Sequence, residues 1–204
     1  KLLDKQKFDL EEVGTPHDFS WNKCKLETVS FGRGVTTTPL QASSAYASLI
    51  NGGIQINPTL LKKDKDSSDI KIISQLTSKK IRDILRKVVT DENGTASLSE
   101  VFGYDVSGKT GTSQYYENKN KNMNTFISFF TASEKRYVLF LMIDDPQVAK
   151  DLVYNYRGTQ IKASRNEAGW NVAYTAGKII EQIGPILAIN KKDDSIEHVV
   201  EKFN

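Results

Sequence analysis

Residues 105–113 read Asp-Val-Ser-Gly-Lys-Thr-Gly-Thr-Ser, and this stretch carries the strongest signal for both fold and chemistry. It predicts a strand in which Gly111 marks a place where another backbone or a ligand comes close. The hydroxyls of Thr110 and Thr112 could bind a carboxylate, and Lys109 adds a positive charge beside them. N–H groups at a strand edge can also stabilise an oxyanion. A Lys-Thr-Gly triplet is nevertheless common and also fits an ordinary turn, so its surroundings must decide.

Two helices are predicted before this strand. The first begins at Thr38-Pro39, because a threonine cap satisfies a free N–H and a proline at the first helical position loses no hydrogen bond. It ends at Asn51-Gly52-Gly53, where glycine can adopt the left-handed cap. The second helix is capped by Thr77, has apolar residues at helical spacing, and ends at Asn93-Gly94.

After the strand, the sequence predicts a hairpin and a long helix. Residues 125–132 and 136–143 are apolar strands joined by the short turn 133–135. Residues 146–168 are polar and predicted to be irregular, and residues 169–187 form an apolar helix. Helices followed by consecutive strands and a final helix indicate an α+β fold with an antiparallel sheet.

Composition excludes several classes of protein. The 204 residues carry a formal net charge of +3, too small to argue for nucleic acid. A single cysteine excludes an internal disulfide, and no apolar run of about 18 residues predicts a membrane span. The only two histidines, His17 and His198, lie far apart in the sequence. We therefore expect no metal site, no Ser-His-Asp triad and no cofactor.

An ordered set of short motifs surrounds the strand. Each motif is weak alone, but together they resemble the transpeptidase domain of class B penicillin-binding proteins, in particular the cell-division branch of septal peptidoglycan D,D-transpeptidases. The likeness runs from about residue 7 to about residue 189. It rests on residues 29–41 (Val-Ser-Phe-Gly-Arg-Gly-Val-Thr-Thr-Thr-Pro-Leu-Gln), 45–53, 88–90, 94–96, Lys109–Thr112, Phe129, Ala132, 143–146 (Ile-Asp-Asp-Pro) and 168–173 (Ala-Gly-Trp-Asn-Val-Ala).

The resemblance implies a fold and a division of the chain. Residues 1–189 are expected to be the C-terminal part of the transpeptidase domain, and residues 190–204 a polar tail. The implied fold is that of penicillin-binding proteins and serine β-lactamases, present here incompletely. The chain would supply three antiparallel strands, the C-terminal helix and part of the helical lobe.

The resemblance also implies a role for each strand residue. In the family, a serine attacks the D-Ala-D-Ala bond of a peptidoglycan stem peptide, and an amine from a second stem peptide resolves the acyl-enzyme; β-lactams acylate the same serine. Lys109 matches the catalytic lysine that hydrogen-bonds the second of the family's three motifs, Ser-x-Asn, and adds positive potential. Thr110 and Thr112 match the hydroxyls that hold the ligand carboxylate, the Thr112 N–H matches an oxyanion donor, and Gly111 matches the glycine that keeps the strand edge open.

Two of the three family motifs, Ser-x-x-Lys and Ser-x-Asn, have no match in the expected context. The catalytic serine should open a helix, so that its lysine lies on the same face. The matches by letter alone are rejected because they lie in a connection, in a charged loop or beyond the catalytic strand: Ser20–Lys23, Ser68–Lys71 and Ser164–Asn166. We therefore expect the nucleophile upstream of Lys1, and the fragment alone to be inactive.

Expected partners and location follow from the same resemblance. They are stem peptides, β-lactams and, for the parent protein, cell-division proteins at the periplasmic face of the bacterial inner membrane, anchored by an upstream helix. Missing strands would leave an open sheet edge, which favours homodimers or strand exchange. Two alternatives remain open: a catalytically silent module that binds β-lactams or peptides, and a serine β-lactamase relative.

Overall fold

The computed structural model describes residues 21, 23–61, 70–114 and 121–188, which form two compact units divided between Asp83 and Ile84. The tail predicted at 190–204 lies outside these ranges. The α+β class is confirmed. The elements in chain order are α1 (Lys25–Ser30), α2 (Pro39–Ile50), α3 (Gln75–Thr90), β1 (Ser107–Gln114), β2 (Asn122–Ala132), β3 (Lys135–Asp144), β4 (Val153–Tyr156), β5 (Thr159–Lys162) and α4 (Val172–Ala188).

Helix α2 of the first unit begins and ends where the sequence predicts. The Thr38 hydroxyl accepts the Gln41 N–H at 3.2 Å, and the Gln41 side chain accepts the Thr38 N–H at 2.9 Å. This reciprocal pair is a capping box, which satisfies two N–H groups that the helix itself leaves unpaired. The helix stops at Ile50, just before Gly52 adopts a φ of +104°.

The predicted start and end of α3 are both wrong by a few residues. The helix starts at Gln75, because the Ser74 hydroxyl accepts the Thr77 N–H at 3.0 Å and so acts as the cap in place of Thr77. It ends at Thr90, where the chain folds back and the Ala96 N–H donates to the carbonyl of Val88 at 3.0 Å.

The sheet of the second unit has the order β1-β2-β3 and is antiparallel throughout. The predicted hairpin between β2 and β3 is confirmed, with a turn in which Ser133 has a φ of +56°. Strand β2 begins at Asn122, three residues before the predicted start. The sequence gives no strand signal for this extension, because two of its three residues, 122–124, are asparagines.

Residues 146–168 are not irregular throughout, as the sequence predicts, but include a second hairpin. Strands β4 and β5 pair in antiparallel fashion across Arg157-Gly158, whose φ angles are +51° and +79°. Two consecutive positive φ angles are the mark of a type I′ turn, which matches the twist of the flanking strands. The short, polar strands carry too weak an alternation to reveal this hairpin in the sequence.

Helix α4 covers one face of the sheet and forms the core of the second unit. Phe126 and Phe130 on β2 are almost completely buried, the first against Val172 and Ala173 and the second against Ile180. The helix predicted at 169–187 is present, but its predicted start is wrong by three residues: Ala168–Trp170 form a short 3₁₀ turn, and α4 begins at Val172. This turn brings the start of α4 beside β1.

Candidate functional site

Strand β1 lies at the end of the sheet and presents two different faces. Thr110 pairs with Phe126, and Thr112 with Asn124. Because directly opposed residues share a face of the sheet, the two threonines lie on the face that packs against α4. Lys109, one position along the strand, points to the opposite face. The structure therefore brings together the two threonines that are predicted to bind a carboxylate. It places the predicted positive charge, that of Lys109, on the other face of the strand.

Both threonine hydroxyls on the α4 face have hydrogen-bond partners. The hydroxyl of Thr110 bonds that of Thr95 at 2.9 Å, and the hydroxyl of Thr112 accepts the Ala168 N–H at 3.1 Å. Thr110 is half-buried, whereas Thr112 and Thr95 are exposed. The three hydroxyls therefore form an accessible polar row.

On the opposite face, Lys109 and Gly111 have close contacts within the sheet. The exposed ammonium of Lys109 donates to the carbonyl of Thr110 at 2.7 Å. A Cβ added to Gly111 would come within 2.5 Å of the Thr125 hydroxyl on β2. The neighbouring strand thus makes the close approach that the glycine predicts.

The threonine row lines an open cleft of about 390 Å³. Its other walls come from the segment after α3 and from the region between β4 and α4, and they include Glu92, Asn93, Tyr156, Arg165, Glu167 and Trp170. None of these six residues is predicted from the sequence as a site residue. A signal was available for Trp170, which lies within the family landmark 168–173, and for Thr95, which lies within 94–96, whereas the other five wall residues lie outside the landmarks.

Aromatic residues of β4 and of the 3₁₀ turn before α4 build another wall of the cleft. The rings of Tyr154 and Tyr156 lie 5.6 and 6.0 Å from that of Trp170, and the Arg165 guanidinium lies 5.5 Å above the same indole. The Tyr154 hydroxyl donates to the Trp170 carbonyl. Burial raises the pKa of Tyr154 above its ordinary value, and the nearby Tyr174 adds to this shift. Tyr154 is therefore a fixed, neutral support for this wall.

An ion pair holds the beginning of β1 in place. Arg86 on α3 donates to both carboxylate oxygens of Glu100, at 2.6 and 2.7 Å, and also to the carbonyl of Val106. Bidentate pairing of this kind restricts the orientation of both side chains. Since Val106 directly precedes β1, the contact fixes where the strand enters the sheet.

The rejected motif candidates are only partly visible. Ser164 lies in an exposed coil, and the side-chain amide of Asn166 donates to the Pro146 carbonyl at 2.5 Å. Ser20 and Ser68 fall outside the described residues, as do both histidines. Within the described ranges, no cluster of three or more His, Cys, Asp or Glu could hold a metal ion. No described helix is long and apolar enough to cross a membrane.

Comparison with known proteins identifies the family of the chain. Residues 4–166 match the family model of the penicillin binding protein transpeptidase domain. The chain is 27% identical over 210 residues to the probable peptidoglycan D,D-transpeptidase FtsI of Caulobacter vibrioides, covering 96% of this chain and 34% of that protein. It is 32% identical over 156 residues to stage V sporulation protein D of Bacillus subtilis, covering 69% of this chain and 23% of that protein.

Solved structures show the same fold. The transpeptidase domain of Burkholderia pseudomallei penicillin-binding protein 3 superposes with a TM-score of 0.66 at 20% identity, over 88% of this chain and 53% of that one. Penicillin-binding protein 3 of Mycobacterium tuberculosis, complexed with aztreonam, gives a TM-score of 0.61 at 24% identity, over 81% of this chain and 39% of that one.

The predicted resemblance is confirmed by the family match, which extends over most of the chain. The chain spans about a third or less of the length of these curated relatives. The three-stranded sheet and C-terminal helix likewise correspond to part of the solved domains. This chain belongs to the family of penicillin-binding protein transpeptidase domains.

Proposed function

We propose that this chain forms the ligand-binding wall of a peptidoglycan D,D-transpeptidase, which cross-links stem peptides through an acyl-serine intermediate. The observation that carries the proposal is the row of hydroxyls from Thr95, Thr110 and Thr112 along an accessible cleft at the end of the sheet. Family membership indicates the type of reaction, and this row offers hydrogen bonds to the carboxylate end of a D-Ala-D-Ala peptide.

The backbone of β1 supports an oxyanion role for the Thr112 N–H. The carbonyl of Gly111 accepts from the Thr125 hydroxyl on β2 at 3.4 Å, so the backbone of Gly111 is directed toward the neighbouring strand. Successive residues of an antiparallel strand direct their N–H and C=O groups to opposite edges. The Thr112 N–H is therefore directed toward the outer edge of β1, where a substrate carbonyl can reach it.

Lys109 supplies positive potential on the other face of the same strand. Its ammonium is exposed and lies on the residue next to Thr110. In a site closed by bound substrate, a positive charge near a developing oxyanion is worth more than it is in water. We assign Lys109 and the Thr112 N–H catalytic roles, and assign Thr110, Gly111 and the Thr112 hydroxyl roles in binding.

The nucleophile is assigned to a segment N-terminal to Lys1. Neither of the two Ser-x-x-Lys matches in the sequence, Ser20–Lys23 and Ser68–Lys71, has the sequence context of the family's nucleophile, and the relatives are about three times longer or more. Oxyanion and binding groups retain only a small part of catalysis without nucleophile and base. We accordingly assign residues 1–189 to the transpeptidase domain and 190–204 to a tail.

Ligands, partners and location are proposed on the same basis. The related protein crystallised with aztreonam supports β-lactams as ligands, and the relative named FtsI supports cell-division partners. The parent protein would act at the periplasmic face of the inner membrane. Strand β3 is the other edge strand of the described sheet. Because an edge strand can pair with a strand of another chain, this supports strand exchange or dimerisation of the isolated chain.

A fluorescent penicillin tests this proposal. The full-length protein that contains this chain should be labelled covalently, and the purified chain alone should not. Labelling of the chain alone would place the nucleophile within it. A full-length protein that resists labelling would instead favour a silent binding module.

Substitutions on β1 test the assigned roles in the full-length protein. Lys109→Met should lower the second-order rate constant for acylation by about 100-fold, the usual effect of removing one electrostatic contact to the transition state. Ser113→Ala is the matched control, because it removes an exposed β1 hydroxyl outside the cleft. Equal rates for Lys109→Met and the unaltered protein would remove Lys109 from the mechanism.

A further inference from the structure

A cluster of asparagine amides lies directly behind the threonine row. Asn124 on β2 is fully buried and pairs with Thr112 across the two strands. Its Nδ2 donates to the Asn166 carbonyl at 2.7 Å and to Asn171 Oδ1 at 3.1 Å. Asn124 therefore bonds both ends of the segment 166–171, whose middle residue Ala168 bonds Thr112.

Asn171 closes this segment and begins α4. Its Oδ1 accepts the Val172 N–H at 2.6 Å, as well as the amide of Asn124. Its Nδ2 donates to the Asn166 carbonyl at 3.2 Å. Val172 is the first residue of α4, so its bond to Asn171 gives a partner to an N–H group that the helix itself leaves unpaired. Asn171 thus joins the start of α4, the segment 166–171 and strand β2.

The middle of the segment is held between two of the cleft hydroxyl residues. Ala168 is fully buried, and its N–H donates to the Thr112 hydroxyl. A Cβ added to Gly169 would lie only 2.2 Å from the Thr95 carbonyl. The backbone of Ala168-Gly169 therefore packs tightly against both Thr95 and Thr112.

The Ala168 N–H determines how the Thr112 hydroxyl can bond a ligand. A hydroxyl has one proton and two acceptor lone pairs. With one lone pair occupied by the Ala168 N–H, the proton turns away from that donor, and no described residue accepts it. Thr112 is therefore a hydrogen-bond donor toward the cleft, which suits a carboxylate.

Asn124 is an unusual choice for this buried position. Its neighbour on the same face, Phe126, is apolar, and its own Oδ1 has no hydrogen-bond donor among the described residues. An unpaired buried amide oxygen is destabilising. An apolar side chain would avoid that cost. What the asparagine provides in its place are the two hydrogen bonds from its Nδ2, to Asn166 and Asn171.

From these contacts we propose that Asn124 and Asn171 are positioning residues. Their amides hold the segment 166–171 so that the Ala168 N–H bonds Thr112 and leaves the Thr112 proton for the ligand carboxylate. This proposal rests on the proposed function for the identity of the ligand. The positioning itself is a property of the described residues.

The first experiment measures amide exchange in the ¹⁵N-labelled chain. Asn124→Ala and Asn171→Ala should speed exchange of the Ala168 amide by about 10-fold, the effect of losing one hydrogen bond to a buried group. The Phe126 amide serves as the folding control. Asn171→Asp, which keeps the acceptor oxygen for Asn124 and Val172, should restore protection relative to Asn171→Ala. Unchanged Ala168 exchange in both alanine variants would overturn the proposal.

The second experiment compares benzylpenicillin with its methyl ester, which lacks the carboxylate, in the full-length protein. The ratio of their acylation rate constants should fall about 10-fold in Asn124→Ala, with the ester rate unchanged. Asn155→Ala, an exposed asparagine on β4, should keep the ratio. An equal loss for both compounds would overturn the positioning role. If the unaltered protein reacts with neither, the proposed function fails, and the exchange experiment alone decides the positioning role.

Discussion

The two faces of β1 are held in place by different parts of the chain. On the α4 face, the hydroxyls of Thr110 and Thr112 bond Thr95 and Ala168, residues 15 and 56 positions away. On the opposite face, Lys109 contacts the carbonyl of the next residue and Gly111 adjoins Thr125, 14 positions away on β2. The α4 face therefore depends on contacts with residues outside the sheet, whereas the other face depends on contacts within the sheet.

The largest effect should come from breaking the packing on the α4 face. In Gly169→Ala, the new Cβ would meet the Thr95 carbonyl at 2.2 Å, and backbone atoms on both sides must move. We expect the free energy of unfolding to fall by about 3 kcal/mol, the upper end of the usual cost of overpacking. Urea denaturation of the chain measures this change.

Gly103→Ala is the control for this substitution. Gly103 has a φ of +88° and no atom within 4 Å of an added Cβ, so it reports only the backbone strain of a left-handed residue, about 1–2 kcal/mol. A smaller loss in Gly169→Ala than in Gly103→Ala would mean that the backbone of the segment 166–171 can move at little cost. The α4 face of β1 would then not be held more tightly than the opposite face.

A smaller effect is expected on the opposite face. Gly111→Ala brings a Cβ within 2.5 Å of the Thr125 hydroxyl, which is the end of a side chain and can rotate. We expect a loss of about 1 kcal/mol in the free energy of unfolding, the lower end of the cost of overpacking. Thr125→Ala in the same chain should recover it. Lack of recovery in a double-mutant cycle would show that Gly111 is needed for another reason.

The smallest effect concerns the aromatic wall. Tyr154→Phe removes the hydrogen bond to the Trp170 carbonyl and should lower the free energy of unfolding by about 0.5 kcal/mol, the lower end of the net value of one hydrogen bond. Tyr156→Phe is the matched control, because its hydroxyl has no hydrogen bond within the described residues. Equal losses in the two variants would contradict the support assigned to Tyr154.

Tyr154 should also influence stability at alkaline pH. Burial raises its pKa in the folded chain above the ordinary value of 10.0. The contribution of the neutral phenol is therefore present in full below pH 10 and is lost as the pH rises through the folded pKa. Tyr154→Phe should weaken the alkaline decline in stability without abolishing it, since burial also raises the pKa of Tyr46. An unchanged decline in Tyr154→Phe would contradict this.

Local chemistry accounts for what sequence analysis predicted correctly. The Thr38-Pro39 helix start, the β2–β3 hairpin and the strand 106–113 each depend on residues that are neighbours in sequence or alternate along it. The errors at Thr77 and at residues 146–168 have a related cause. A second hydroxyl, Ser74, competed for the cap, and the Arg157-Gly158 turn joins strands too short and polar to show alternation.

The sequence by itself determined the family of this protein and the strand that contains Lys109–Thr112, because the ordered motifs and the residue pattern of a strand are local properties. Only the tertiary structure decided which groups share a face with Thr110 and Thr112. Ala168, Asn124 and Asn171 reach that face through hydrogen bonds between distant elements. Such contacts depend on how α4 packs on the sheet, and no spacing in the sequence encodes them.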